Sequence, residues 1–557
     1  MNTKKIKNYF GRKFKMTEIN NNPLNSDNSC NSNDNLKILI PPQNEKQNIQ
    51  ETLNETKLEE EKETKSDKDL ELKIIQKTDP QVNPYLNKVA WICAFCSFLL
   101  GYSTGVINGA LPFMVDDLQL SPAIIGLVTS SLLIGSAFGS LFAGRLADIF
   151  GRKITLMGNT LLFMIGTLCY SLSPNAECLI GFRIMLGLTI GGFSSVVSVL
   201  LAEFSTPECR ARMVTRSFLL IMVGEFGAFI ANAVLGILWN EESSIWRWMC
   251  ILSILPAIFE LALIFWLMPE SPRWLVSVGK NSEAKIILHK IRFKSEEADA
   301  ELAEIEKIKK LEEGKVEGGF SIFIEMLGLS WFRRSLLIGI GIGLSLAAEG
   351  GGIIMYYATL MLRDNNGGDT DAALLGNTIN GLISLVASAV GLWLISKVPR
   401  RPFYLFGVFG SVIPHTTTVL FCFLLTNGPL KGWLILSSML AFLMLQQGAI
   451  MTVGSLLLTE IFPLRVRGLG VGISLWFAWM NNFLTSLLFP MAVDAFGYSI
   501  TFVILVILCC IVGIFVLIFI PETRGKSLEK LEMEFQGESK ESVNESKINN
   551  EDEKNFK

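Results

Sequence analysis

Four ionisable side chains stand inside long apolar runs: Arg183, Glu225, Glu260 and Glu349. A charge withdrawn into hydrocarbon is expensive, so each marks a candidate site for an ion, a proton or a polar solute. Glu349 is followed directly by Gly350, Gly351 and Gly352. Each glycine weakens a helix by about 1 kcal/mol relative to alanine, so a helix through this stretch is expected to bend or open. A carboxylate at such a break can hold a proton or a cation, and Arg183 can pair an anionic group. The competing reading of each acid is a side chain hydrogen-bonded between helices, which suits Glu260 better than Glu349. His415 follows Pro414 in another apolar run and reads as a hydrogen-bonded packing residue, with a proton relay as the alternative. The ten cysteines show no metal-binding spacing, and two histidines, His289 and His415, cannot build a metal cluster. No nucleotide loop and no nucleophile–base set occurs. The chemistry expected is binding, with no catalysis, no cofactor and no metal.

The elements that must position these groups are membrane spans. The chain has 557 residues, is 50% apolar and contains 37 Phe and 11 Trp. Runs of about 20 apolar residues recur, the length that a bilayer-crossing helix needs. Twelve are expected, at 89–114, 123–143, 154–172, 178–203, 217–239, 246–268, 335–362, 374–396, 403–426, 432–461, 468–494 and 498–520. The predicted fold is an all-α membrane protein of twelve transmembrane helices in two six-helix halves, 87–268 and 335–520. Residues 1–86 and 521–557 are polar and read as disordered tails, the first without the apolar core of a signal peptide. The insert 269–334 carries alternating charge blocks at helical spacing and should form surface helices.

Lys and Arg concentrate in the loops after spans 2, 4, 8 and 10, including Arg145, Arg152, Lys153, Arg210, Arg400, Arg401 and Arg467. Positive loops stay inside, so both tails and the insert are expected in the cytoplasm. Three motifs recur: FGRK at Arg152 as VPRR at Arg400, AEFSTPECRAR at Glu203 as TEIFPLRVRG at Glu460, and PESPRWL at Pro269 as PETRGKSLEKLE at Pro521. Their offsets of 248, 257 and 252 residues are nearly equal, which is the mark of a duplicated half. Duplicated halves with a site between them are the architecture of alternating access.

The loop GRLADIFGRK (Gly144–Lys153), together with GYSTGVINGALPFM, PESPRWL and PETRGKSLEKLE, resembles the signatures of the major facilitator superfamily, in its sugar-porter branch, over about 89–532. The resemblance implies a gate of ion pairs that locks the outward-facing state: Glu203 with Arg210, Glu460 with Arg467, and the Arg145–Asp148–Arg152 loop. It also implies a solute site, and here this sequence departs from the branch. The expected Gln pair of span 7 falls on Leu346 and Ala347, and the Asn that follows on Gly352, before the matching Tyr356 and Tyr357. The Gln of span 5 falls on Phe218, the Trp of span 10 on Ser455 and the Asn of span 11 on Ala478. The Asn of span 8 falls on Ser384, with Asn380 one turn earlier. The acid of span 1 in proton-linked members falls on Ser103. A buried hydroxyl without a partner costs about 1–3 kcal/mol, so losing these amides argues against an ordinary hexose site. The residues expected to bind solute are Asn108, Arg183, Glu225, Glu349, Tyr356, Asn380, Ser384, Trp479 and Asn482.

The function expected is transport of a small polar organic solute, sugar-like or another metabolite, by alternating access. Alternatives are a carrier for an organic ion or a vitamin such as pantothenate, with proton coupling, and a transporter-like nutrient sensor. The expected partners are the solute, the lipid bilayer and, under the coupled alternative, protons. No nucleic acid is expected, and the chain is read as a plasma-membrane monomer.

Overall fold

A computed structural model of the chain describes residues 83–239, 242–313, 326–395, 397–462 and 467–524. Most of the two expected tails lies outside the described residues, as do the side chains of Arg210 and Arg467. Spans 1 to 5 are α1 (Pro84–Leu118), α2 (Pro122–Phe150), α3 (Arg152–Ser171), α4 (Ala176–Phe204) and α5 (Pro207–Leu238). Span 6 joins α6 (Trp246–Ile251) to α7 (Ile254–Leu267), and three short helices follow: α8 (Pro272–Ser277), α9 (Asn281–Ile291) and α10 (Ser295–Glu313). Span 7 is split into α11 (Ser330–Ala348) and α12 (Gly351–Asn365). Spans 8 and 9 are α13 (Thr370–Leu394) and α14 (Arg400–Leu424). Span 10 runs through α15 (Pro429–Leu445), a π-helical turn (Gln446–Met451) and α16 (Thr452–Ile461). The final helix, α17 (Arg467–Phe519), is continuous except at Gly497, where φ is 76°.

Among the described residues, eleven helices are long and apolar enough to cross a membrane. The last, Leu469–Phe519, has 51 residues, more than twice what one crossing needs. Its break at Gly497 makes it spans 11 and 12, so the expected twelve are present. The boundaries follow local rules. Asn83 accepts the Tyr85 N–H at 2.9 Å and so caps α1. Pro84, Pro122, Pro207 and Pro429 open their helices, where a missing N–H breaks no bond.

Up to residue 313 the insert forms α8, α9 and α10, and these helices lie against the first half. Arg292, after α9, donates to the Phe204 carbonyl at the end of α4 at 2.9 Å and pairs with Glu301 of α10 at 2.6 Å. Its own carbonyl accepts from Asn83 at 3.0 Å.

Among the described residues, the hydrogen bonds that cross between the halves gather at the end away from the Arg-rich loops. Asn108 of α1 donates to the carbonyls of Ile354 and Met355, at 3.2 and 2.8 Å, and to Asn377 at 3.2 Å, and accepts from the Thr359 N–H at 2.9 Å. Arg363 grips Asp116 with both terminal nitrogens, at 2.9 and 3.0 Å. Tyr357 donates to the Ser486 carbonyl at 2.7 Å and lies 2.6 Å from the Thr129 hydroxyl of α2. This end is closed, whereas Ser455, toward the basic end, is exposed.

The seam requires close backbone approach at Gly126, where any Cβ would overlap the Leu487 carbonyl of α17. Gly126→Leu should therefore part the halves at this end. A cysteine placed at Asn380, buried in the present state, should then react with an impermeant thiol reagent added from that side. Unchanged protection would show that the seam does not depend on this contact.

Candidate functional site

Two latches stand at the basic end, one in each half. In the first, Arg152 lies 3.0 Å from Glu203 of α4 and 2.9 Å from Asp148. In the second, Arg400 lies 3.0 Å from Glu460 of α16, whose other oxygen accepts from Thr523 at 2.8 Å. The Arg210 and Arg467 side chains that the resemblance implies as partners of these acids lie outside the described residues; among the described ones, Arg152 and Arg400 stand beside Glu203 and Glu460.

Sequence reasoning missed a second feature of each latch. Glu270 accepts the N–H groups of Arg152, Lys153 and Ser271 at 2.9, 3.1 and 2.8 Å, and so caps α3 from across the half. Glu522 does the same for α14, accepting from Arg400 and Arg401 at 3.0 and 3.1 Å. A carboxylate on a helix N-terminus is favoured by the orphan N–H groups and the helix dipole. Burial pushes the Glu270 carboxyl above the usual glutamate range, although the N–H groups of Ser271, Lys153 and Arg152 pull the other way. Desolvation also pushes Glu522 up, but the N–H groups of Arg524, Arg400 and Arg401 outweigh it and leave the group below that range. The signal was available: both acids follow a proline in the repeated PES and PET motifs, 252 residues apart. Of the other gate residues, Arg145 is exposed.

Below the closed seam, polar groups from both halves converge. Asn377, Asn380, Ser384 and Ser388 are buried at i, i+3, i+7 and i+11 along one side of α13, and Asn377 meets Asn108 at the seal. Both polar atoms of the Asn380 amide lack a partner among the described residues. Glu225 of α5 lies against Gly105 of α1, and one of its oxygens is also unpartnered. Glu225 of α5, Arg183 of α4 and Asn482 of α17 are all electrostatic neighbours of Tyr356 in α12. A Cβ on Gly352 would overlap the Asn482 amide, so the expected Asn at 352 is replaced by one reaching in from span 11. Trp479, one turn earlier, is partly buried and packs on the same core.

The π turn of span 10 adds two amides that sequence reasoning missed. A π turn carries an extra residue per turn and rotates its side chains relative to an α-helix. Gln446 and Gln447 are both buried, and the carbonyl oxygen of each side chain is unpartnered. Gln446 donates to the Leu346 carbonyl at 3.2 Å. An amide pair expected at 346–347 of span 7 thus comes from span 10 and touches the same place. The signal was a Gln-Gln pair in an otherwise apolar run.

Other expected solute contacts are placed elsewhere. Asn108 commits its amide to the seal. Arg183 is buried in the first half, donating to the Tyr170 hydroxyl at 3.2 Å and the Thr129 carbonyl at 3.4 Å. Glu260 is buried against α3, 3.5 Å from the Thr160 hydroxyl. Glu349 ends α11 and turns into the second half, with Tyr404 and Cys509 as electrostatic neighbours. No group of three metal-binding side chains occurs among the described residues.

Comparison with known proteins gives this arrangement its family. The family model described as "Sugar (and other) transporter" matches residues 89–535. The chain belongs to the sugar transporter family. It is 43% identical over 456 residues to the major myo-inositol transporter IolT of Bacillus subtilis, covering 81% of this chain and 94% of that one. It is 31% identical to the glucose transporter GlcP of Staphylococcus epidermidis over 460 residues, 82% of this chain and 98% of that one. Among solved structures, the proton:xylose symporter XylE bound to 6-bromo-6-deoxy-D-glucose superimposes with a TM-score of 0.66 at 25% identity, covering 82% of this chain and all of that one. This sugar transporter family member is a transmembrane carrier of a small polar solute that works by alternating access.

The two acids around Arg152 differ in shielding. The side chain of Asp148 is 68% exposed, while Glu203 is 10% and Arg152 11% exposed. An exposed pair contributes under about 1 kcal/mol. Leaving a shielded charge unpaired costs more, here about 2 kcal/mol. Glu203→Gln should therefore lower the thermal midpoint of the purified carrier clearly more than Asp148→Asn. Equal shifts would show that the latch is solvated.

Proposed function

We propose that this carrier imports an uncharged polyhydroxylated solute, a sugar or a cyclic polyol, across the plasma membrane, with both tails and the basic end in the cytoplasm. The observation that carries the reading is a set of amides on the inner spans of the second half. Both amide atoms of Asn380 and the amide oxygens of Gln446, Gln447 and Asn482 lack partners among the described residues. Hydroxyl groups both donate and accept, so a polyol matches such a set, whereas a charged solute needs an opposite charge. Arg183, although electrostatically near Tyr356, already donates to the Tyr170 hydroxyl and the Thr129 carbonyl within the first half, which disfavours the organic-anion reading. The names of the relatives point the same way: myo-inositol, glucose and galactose. Orientation is supported by the basic loops, which share the Arg152 and Arg400 end. On this reading the described state is sealed toward the outside and open toward the cytoplasm.

Uptake of labelled myo-inositol, glucose and galactose into proteoliposomes tests the substrate class. Gln447→Ala and Asn380→Ala should each raise KM about 3- to 10-fold for the solute carried, the effect of one lost hydrogen bond. Unchanged KM in both would place the solute elsewhere. For orientation, epitope tags at the N-terminus and beside Lys310 should be reached by antibody only after permeabilisation. Labelling in intact cells would reverse the topology.

A further inference from the structure

The carboxyl of Glu349 is not accounted for by the solute site. It is fully buried, and both of its oxygens lack a hydrogen-bond partner among the described residues. A bare carboxylate in such a place is costly, because nothing replaces the water that stabilised it. The titratable groups that face it are His415 and Tyr404 of α14 and Cys509 of α17. None brings a fixed positive charge. The Tyr404 hydroxyl lies 2.6 Å from Ser345, and the His415 Nε2–H donates to the Glu349 backbone carbonyl at 2.9 Å rather than to its carboxyl. Gln446, from span 10, is turned to the Leu346 carbonyl. A hard metal cation would need several oxygen ligands, and among the described residues no group of three His, Cys, Asp or Glu side chains gathers at this acid.

Its position is as informative as its surroundings. Glu349 is the C-cap of α11, directly after Ala348, and Gly350, at φ 89°, breaks the span before α12 begins. The side chain therefore stands where any change of angle between α11 and α12 must act. Solute-facing positions lie on the α12 side of the break, at Gly352 and Tyr356. In span 1, Ser103 supplies no acid.

We propose that Glu349 is the proton-binding group of this carrier. Its carboxyl holds one proton while packed inside the second half. It gives the proton up when the span-7 break swings it toward water. The step forms and breaks one O–H bond, with no redox partner. His415 acts as a positioning residue that pins the break through the Glu349 carbonyl. This inference rests on the solute-carrier reading above and names its coupling ion.

The test uses the full chain in lightly buffered proteoliposomes, with myo-inositol and glucose as probes. The wild type should accumulate a probe down an inward proton gradient, and adding the probe should alkalinise the outer medium. Glu349→Gln should lose accumulation and alkalinisation by about tenfold or more, while exchange of labelled for unlabelled probe stays within about twofold. Accumulation at wild-type level in Glu349→Gln overturns the proposal, as does wild-type exchange without proton movement. Should Glu349→Gln lose exchange as well, Glu349→Asp decides. Recovery of accumulation with a displaced pH profile supports the proton role, and recovery of neither activity makes the acid structural. A wild type that exchanges neither probe removes the sugar or polyol reading, and this proposal with it.

Discussion

In hydrocarbon a helix can be interrupted only where something else takes up its orphaned carbonyls. Span 7 meets that constraint with three side chains from three neighbours. Asn481 of span 11 donates to the Leu344 carbonyl at 2.7 Å, Gln446 of span 10 to Leu346 at 3.2 Å, and His415 of span 9 to Glu349 at 2.9 Å. The break is thus satisfied from outside itself, and the second half is organised around it. Gln446 must be in register to reach, which the π turn provides. His415 reaches the break from inside α14, directly after Pro414. Each of these polar residues would be costly alone in an apolar run, and together they make an opening in a helix tolerable.

The same economy appears at the basic end. Arg152 and Arg400 each tie two helices by side chain while their backbone N–H groups are capped by Glu270 and Glu522. Lys153 donates to the Phe265 carbonyl at 3.0 Å, and Arg401 donates to that of Leu517, so each latch also closes the end of span 6 or span 12. One short motif therefore holds three helix termini in each half. These ties lie within a half, whereas the bonds between halves belong to the seam around Asn108, Tyr357 and Arg363. Stiff halves and a separable seam are what alternating access requires.

Much of this could be read from the chain itself, because the signals were long or repeated. Twelve apolar runs define spans whatever their neighbours, and a duplicated motif set at nearly constant offset implies two halves. Glycines after Glu349 foretold the break. What could not be read was pairing. Glu203 lies near several basic residues in sequence, and it takes the packing of α3 against α4 to bring Arg152 beside it. The amide pair at Gln446 and Gln447 escaped because the resemblance placed such a pair on another span. The π turn that points both inward has no periodic signature. Asn108 looked like a ligand because it is polar and deep. In the described state its amide is taken up by backbone groups of α12 that lie more than 240 residues away.

Spans 11 and 12 meet at Gly497 with no loop between them, like the legs of a pair of tongs. One leg carries Asn482 at the cleft. The other carries Leu505, whose side chain packs on Gly350 at the break of span 7. A hinge of one residue has no slack to absorb displacement. The two legs thus hold the broken helix between them, Asn482 against Gly352 on one side and Leu505 against Gly350 on the other.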